Sequence, residues 1–287
     1  MSSQITTAFV QQFSSNITLL STQKGSRLRG SVDEESVTGE KAFFDQIGSV
    51  AAVERTSRHG DTPLVETPHS RRMAVMSTFE WADLIDDADK VKMLADPTSV
   101  YAQTAANAMG KSMDDKIIAA ATGTALTGKA GATSTSMLAA NQIAHGSADL
   151  TIAKLISAKE ILDAADVDPD ITRYIAVSPA QISALLGTTQ VTSSDFNTVK
   201  ALSQGTVDTF LGFKFIMSNR LSKSGNIRKC FAWAEDGIKL AVGKDVMAKI
   251  DERADKSYST QVYYCATFGA TRMEEAKVVE VNCDESA

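Results

Sequence analysis

Hydrophobic positions along this 287-residue chain fall into two regimes. From Met1 to Ala95 they come in short, scattered groups among Ser, Thr, Gln and charged residues. No amphipathic period there runs long enough to build a core. The segment still carries Phe9, Phe13, Phe43, Phe44, Val50, Val53, Leu64, Val75, Phe79, Trp81, Leu84 and Ile85. That is too much large apolar surface to leave in water, so a partner surface is expected to order it. Beyond Ala95 the periods lengthen and a self-sufficient core becomes readable.

Residues 1–45 read as an arm that ends in the charged stretch Asp33-Glu34-Glu35. Ser49 to Arg55 and Met73 to Trp81 read as strands, and Gly60, Pro63 and Pro68 punctuate the connection between them. Together they predict a long β-hairpin projecting from the body. Asp96-Pro97 suits the start of a helix of about 26 residues, roughly 39 Å at the usual rise, with Gly123 at its C′ position. Ala102, Ala105, Met109, Met113, Ile117 and Ala120 share one face of that helix. Thr124 to Ser136 is rich in Gly, Ala, Thr and Ser and reads as a loop at a domain boundary.

The pattern then turns α/β. A helix around Ile152–Leu162 breaks near Asp168-Pro169-Asp170, and Tyr174 to Val177 is a short buried strand. Ser178-Pro179-Ala180-Gln181 is a capping box opening a helix that stops at Gly187, and Phe196 to Gln204 is a further helix. Phe213–Met217 and Lys229–Trp233 read as strands around the turn Lys223-Ser224-Gly225-Asn226. Tyr258–Phe268 is expected to be the longest strand, and Lys277–Val281 the closing one.

Composition adds little chemistry. Hydrophobic content of 43% and charged content of 22% are ordinary for a globular chain. A net charge of −6 leaves no electrostatic footprint for sequence-specific nucleic-acid binding. Three cysteines without CxxC spacing suit a reducing compartment, and no apolar run is long enough for a membrane span. Gly123–Ala130 matches GxxxxGK, but Ala130 stands where a P-loop needs a hydroxyl, and the stretch follows a helix instead of a strand. His59, His69 and His145 lack rigid metal-ligand spacing. Asp83, Asp86, Asp87 and Asp89 lack the glycine and glutamate of a calcium loop. No nucleophile elbow or zinc-protease motif occurs, so no catalytic residue, metal ligand or cofactor is assigned.

Several stretches taken in order resemble the major capsid proteins of tailed bacteriophages. Arg58-His59-Gly60-Asp61-Thr62-Pro63 through Arg71-Arg72 and Trp81–Asp86 are similar to the family's extended loop. Asp96–Tyr101 through Asp114–Ile118 to Gly123 resembles its spine helix. Arg173–Pro179, Leu185-Leu186 and Phe210–Ser218 resemble the core of its axial domain, and Gly269–Arg272 its last peripheral hairpin. The resemblance implies an α+β fold divided as follows: arm 1–45, extended β-hairpin loop 46–95, peripheral domain with spine helix 96–135, axial domain 136–250 and returning peripheral strands 251–287. It implies hexamers and pentamers closing into an icosahedral shell around double-stranded DNA. A scaffolding protein, a portal at one vertex and a decoration protein are the implied partners, with assembly in the host cytoplasm and residence in the virion.

A nanocompartment shell protein shares this fold and would enclose enzyme cargo. A soluble α/β enzyme predicts a compact monomer or small oligomer with a ligand cleft. Some relatives cross-link a loop lysine to a neighbouring asparagine, but none lies between Lys41 and Lys90 here. Arg55, Arg58, Arg71 and Arg72 stand in the loop instead, with Asp83, Asp86, Asp87 and Asp89, or Glu34 and Glu35 of an adjacent arm, as expected inter-subunit partners.

Overall fold

The computed structural model describes residues 22–58, 60–85, 98–187 and 209–286; for 98–101 it describes the backbone alone. Two compact units are present. One comprises Met1–Ser26, Thr78–Ser112 and Lys244–Ala266, the other Arg27–Ser77, Met113–Gly243 and Thr267–Ala287.

The second unit is built on a seven-stranded sheet. Its strands are β7 (Gln142–Ile143), β8 (Arg173–Val177), β9 (Thr209–Phe210), β10 (Phe213–Met217), β11 (Lys223–Ser224), β12 (Ile227–Ala234) and β15 (Val278–Asp284). The order is β7-β15-β12-β8-β10-β9, with β11 paired to β12. β8 and β10 run parallel, Arg173 opposite Phe213, while β12 is antiparallel to both β8 and β15. β15 begins Val-Val-Glu-Val, with all four residues buried, as a strand covered on both faces requires. The helix α2 (Ile152–Ala164) lies against β15 and β7 and buries Leu155, Ala158 and Leu162. α3 (Pro179–Leu186) opens as expected: the Ser178 N–H donates to Gln181 Oε1 at 3.1 Å. Trp233 is fully buried, stacks on Tyr174 at 5.7 Å and donates its indole N–H to Ser31 O at 2.8 Å.

That last bond belongs to a strap. Asp114, fully buried on α1 (Thr98–Thr122), accepts the N–H groups of Arg27 and Leu28, each at 3.1 Å. β1 (Asp33–Ser36) then pairs parallel with β13 (Ile238–Arg253), Asp33 opposite Lys239. Residues 27–36, expected to lie across another subunit, are therefore stitched into their own chain. In the first unit Gly25 N–H donates to Asn107 Oδ1 at 3.0 Å. There a Cβ on Gly110 would stand 2.2 Å from the Gly25 carbonyl carbon, so only glycine lets the strap cross the helix.

The hairpin is present but shifted. β2 (Lys41–Ile47) and β3 (His69–Val75) pair in antiparallel register from Lys41↔Val75 to Ile47↔His69. Residues 49–55 form no strand: every side chain from Ser49 to Arg55 is exposed, so nothing supplies the surface that a pleated segment packs on. Ala42 and Phe44 alternate inward on β2 and pack with Ala74, Met76 and Ala241. Thr124–Ser136 is not a loop. It folds as β5 (Ala125–Thr127) and β6 (Thr133–Thr135), and β5 extends the hairpin sheet through Arg72↔Thr127 and Met73↔Leu126. Gly128 and Gly131, at φ 90 and 68, turn the chain between them. Gly123 ends α1 without a left-handed φ. Its N–H donates to Ala119 O at 2.9 Å, and a Cβ would lie 2.3 Å from that oxygen.

β13 has 16 residues and exceeds β14 (Ser259–Arg272), which has 14. It escaped notice because its second half, Lys244–Arg253, is rich in charge and almost wholly exposed. β14 pairs with β13 on one side and with β4 (Ser77–Ile85) on the other. In the first unit Tyr263 on β14 donates its hydroxyl to Glu80 on β4 at 3.0 Å. The helix expected at 196–204, and the Asp96-Pro97 start of α1, lie outside the described residues.

Candidate assembly surface at the extended hairpin

The hairpin carries a polar ladder below an exposed apolar tip. At its neck Gly48 N–H donates to Pro68 O at 2.9 Å, which closes a 48–68 connection with no strand among its described residues. Leu64 is 96% exposed and Ile47 69%, with Val50, Val53 and Val65 also open to solvent. All five belong to the hairpin's end or to the connection between its strands.

The arginines divide by position. Arg55 and Arg58 are exposed on the tip, and Arg55 Nε donates to Ser57 O at 2.9 Å. Arg71 faces Asp45 across the ladder, its Nη2 3.1 Å from Asp45 Oδ2, and its guanidinium sits 5.6 Å from the centre of the Phe43 ring. The hydrogen bond from Arg71 holds the Asp45 carboxyl below its ordinary value. Asp45 was not singled out in the sequence, although its place opposite Arg71 follows once the register is known.

Arg72 points the other way. It is 7% exposed, and its Nε donates to Met273 O at 2.8 Å while Nη2 bonds Glu275. Asp83 lies exposed on β4 and accepts the Leu84 N–H at 2.8 Å. Asp86, Asp87 and Asp89 lie outside the described residues, as does His59. His69 opens β3 opposite Ile47, and His145 sits 3.8 Å from Asp284.

Three buried charges mattered that sequence reasoning passed over. Lys154 extends its ammonium to four carbonyl oxygens, those of His145 at 2.8 Å, Ala148 at 2.7 Å, Asp149 at 3.0 Å and Asn282 at 2.9 Å. Asp114 holds the strap. Arg272, fully buried, donates to Ala121 O and Gly123 O at 3.0 and 2.7 Å. An arginine continuing the buried, even-numbered face of β14 was the readable signal. The stretch resembling a P-loop is the end of α1 running into β5, the opposite of a strand opening onto a helix. Among the described residues no group of His, Cys, Asp and Glu could hold a metal ion, and no helix is long and apolar enough to cross a membrane.

This architecture is similar to that of solved phage capsids. The capsid of the cyanophage P-SCSP1u superposes with a TM-score of 0.76 at 17% identity, over 99% of this chain and 95% of that one. The cyanophage Pam1 capsid gives 0.71 at 13% identity, covering 98% of each chain. The capsid of the Helicobacter pylori bacteriophage KHP30 gives 0.70 at 11% identity, over 97% of this chain and 96% of that one. No curated protein matches in sequence. The sequence profile of the phage capsid protein family matches residues 5–285. This chain belongs to that family.

The capsid protein therefore has the α+β tailed-phage capsid fold and is a structural component of a virion shell, not an enzyme. Its exposed hairpin belongs to a protein whose work is done against other subunits.

Proposed function

We propose that this capsid protein forms hexamers and pentamers that close into an icosahedral shell around double-stranded DNA. The observation that carries the reading is the 48–68 connection, where Leu64, Val50 and Val53 are exposed beyond the paired strands β2 and β3. A subunit meant to stay alone would expose that surface at a cost in solubility. In this reading the chain divides into arm 1–45, extended loop 46–95, peripheral segments 96–135 and 251–287, and axial domain 136–250. A separate scaffolding protein guides assembly in the host cytoplasm, and a portal at one vertex admits the DNA.

Arg55, Arg58 and Arg71 meet carboxylates of a neighbour, with Asp83, Asp86, Asp87 and Asp89 on the receiving side. Arg72 serves the same surface from within, by fixing the root. A net charge of −6 suits a lining that lets DNA slide in and out, because tight phosphate neutralisation would resist both movements. The test is negative-stain microscopy of the protein expressed alone and with its genomic neighbours. Closed shells with the scaffold, and aberrant or no shells without it, are expected; a protein that stays monomeric in both would overturn the reading. Arg58→Glu with Arg71→Glu should weaken shells more at low salt than at high salt, since exposed pairs contribute only about 0–1 kcal/mol each but recur in every subunit.

A further inference from the structure

Two buried arginines share one carboxylate at the hairpin root. Arg72, on β3, donates Nε to Met273 O at 2.8 Å and Nη2 to Glu275 Oε2. Glu275 Oε1 stands 3.6 Å from Arg272 Nη2. Arg272 in turn holds the last carbonyls of α1, Ala121 O and Gly123 O, and reaches Thr135 O on β6 at 3.3 Å. Gln46, on β2, donates to the same Met273 O at 2.6 Å. Both hairpin strands thus hang from one carbonyl and its neighbouring carboxylate, and that carboxylate faces the arginine capping the helix.

The set is incompletely bonded on both sides. Two guanidiniums face one carboxylate, and the C-terminal end of α1 adds only a partial negative charge. Arg72 Nη1, Arg272 Nε and Glu275 Oε1 are buried without a hydrogen-bond partner. Leaving buried polar groups unbonded is costly, and a small turn of the carboxylate would bring Oε1 within bonding distance of Arg272 at the expense of the bond to Arg72.

We propose that Glu275 is a joint: its carboxylate passes between Arg72 and Arg272 and so couples the direction of the extended hairpin to the closing turn of α1. This rests on the reading of the hairpin as the surface that seats on a neighbouring copy. Coupling is reciprocal, so whatever holds the hairpin biases the helix end, and a change at the helix end re-aims the hairpin. Subunits in differently curved parts of a shell could then settle into different hairpin directions without changing a core contact.

The experiment uses the full, unassembled chain and amide hydrogen exchange read by mass spectrometry. Arg72→Met removes a side chain that makes no bond to α1. The joint nevertheless requires it to speed exchange at Ile118–Gly123 as well as in β2 and β3, on the order of tenfold. Glu275→Gln should do the same, and the double variant should add little to either single one. If Arg72→Met does not fold, Arg72→Lys carries the comparison, since it keeps the charge and gives up the fork. Unchanged exchange at the helix end while the hairpin loosens, or additive effects in the double variant, would overturn the joint. Shell formation is not part of this readout: a chain that never assembles sinks the shell reading, while an uncoupled helix end sinks only the joint.

Discussion

Replacing Glu285 by glutamine should lower the stability of the seven-stranded sheet by an amount that depends on pH in a defined direction. Glu285 follows β15 directly, and its carboxylate collects Arg228 Nε at 2.8 Å, Lys223 Nζ, and the Gln181 amide at 3.3 Å. Its own N–H donates to Asn226 O at 2.9 Å, in the turn between β11 and β12. The hydrogen bond from Arg228, followed by those from Lys223 and Gln181, outweighs partial burial and lowers its pKa from 4.5 to about 2. A carboxyl whose folded value is depressed contributes stability in full above its unfolded value and loses it as pH falls through the folded one. The contribution is therefore intact above pH 4.5 and gone near pH 2. At about 1.36 kcal/mol per unit the shift corresponds to roughly 3 kcal/mol, and contact with solvent brings it to about 1–3 kcal/mol.

For a chain of this size that is a drop in Tm of roughly 2–5 °C at pH 7. Thermal unfolding of the unassembled subunit, wild type and Glu285→Gln side by side, measures it. The gap should hold steady from pH 7 to about 5, narrow below that, and close near pH 2. A gap under about 1 °C at pH 7, or one that persists unchanged to pH 2, refutes the account, because either result means the charge is not what the cluster holds.

Three further outcomes follow from the same structure. Gly110→Ala should push the strap off α1 at a cost of about 1–3 kcal/mol and speed trypsin cleavage at Lys24 and Arg27, because the new methyl meets backbone at 2.2 Å. Lys154→Met should lower stability by about 3 kcal/mol or more in urea unfolding, since four inward carbonyls lose their donor. Boiled mature particles should run as one band near 30.6 kDa, since no lysine lies between Lys41 and Lys90 for a covalent link; a ladder surviving reducing agent would contradict this.

The sequence announced elements whose burial is periodic. β8, β10, β12 and β15 and the Ser178 capping box stood out because apolar runs and cap chemistry are local signals. The hairpin was visible as a projection but misplaced by several residues. Its strands are defined by a partner 28 positions away at Phe44↔Arg72, which no short window reports. β13 was missed for a related reason, since half of it is charged on both faces. The four arginines looked alike in the sequence. Only the register separates Arg71, which pairs outward with Asp45, from Arg72, which turns inward to Met273, because neighbouring strand residues face opposite ways. Asp114 and Lys154 gave no warning, as each is an ordinary charged residue on a helix until its backbone partners arrive from far along the chain.

The position of β15 between β7 and β12 also governs when a subunit can exist at all. β12 is flanked by β8 on one side and by a strand that ends at Asp284 on the other. While the chain is being made, β12 keeps an open edge until Val278–Asp284 has followed it. The arm waits as well, since Asp33–Ser36 has nothing to pair with until Lys239–Val242 has been made. The last pairing of this sheet is thus one between β15 and a strand made earlier. The interval before that pairing is the one in which a chaperone would find an unpaired strand to hold.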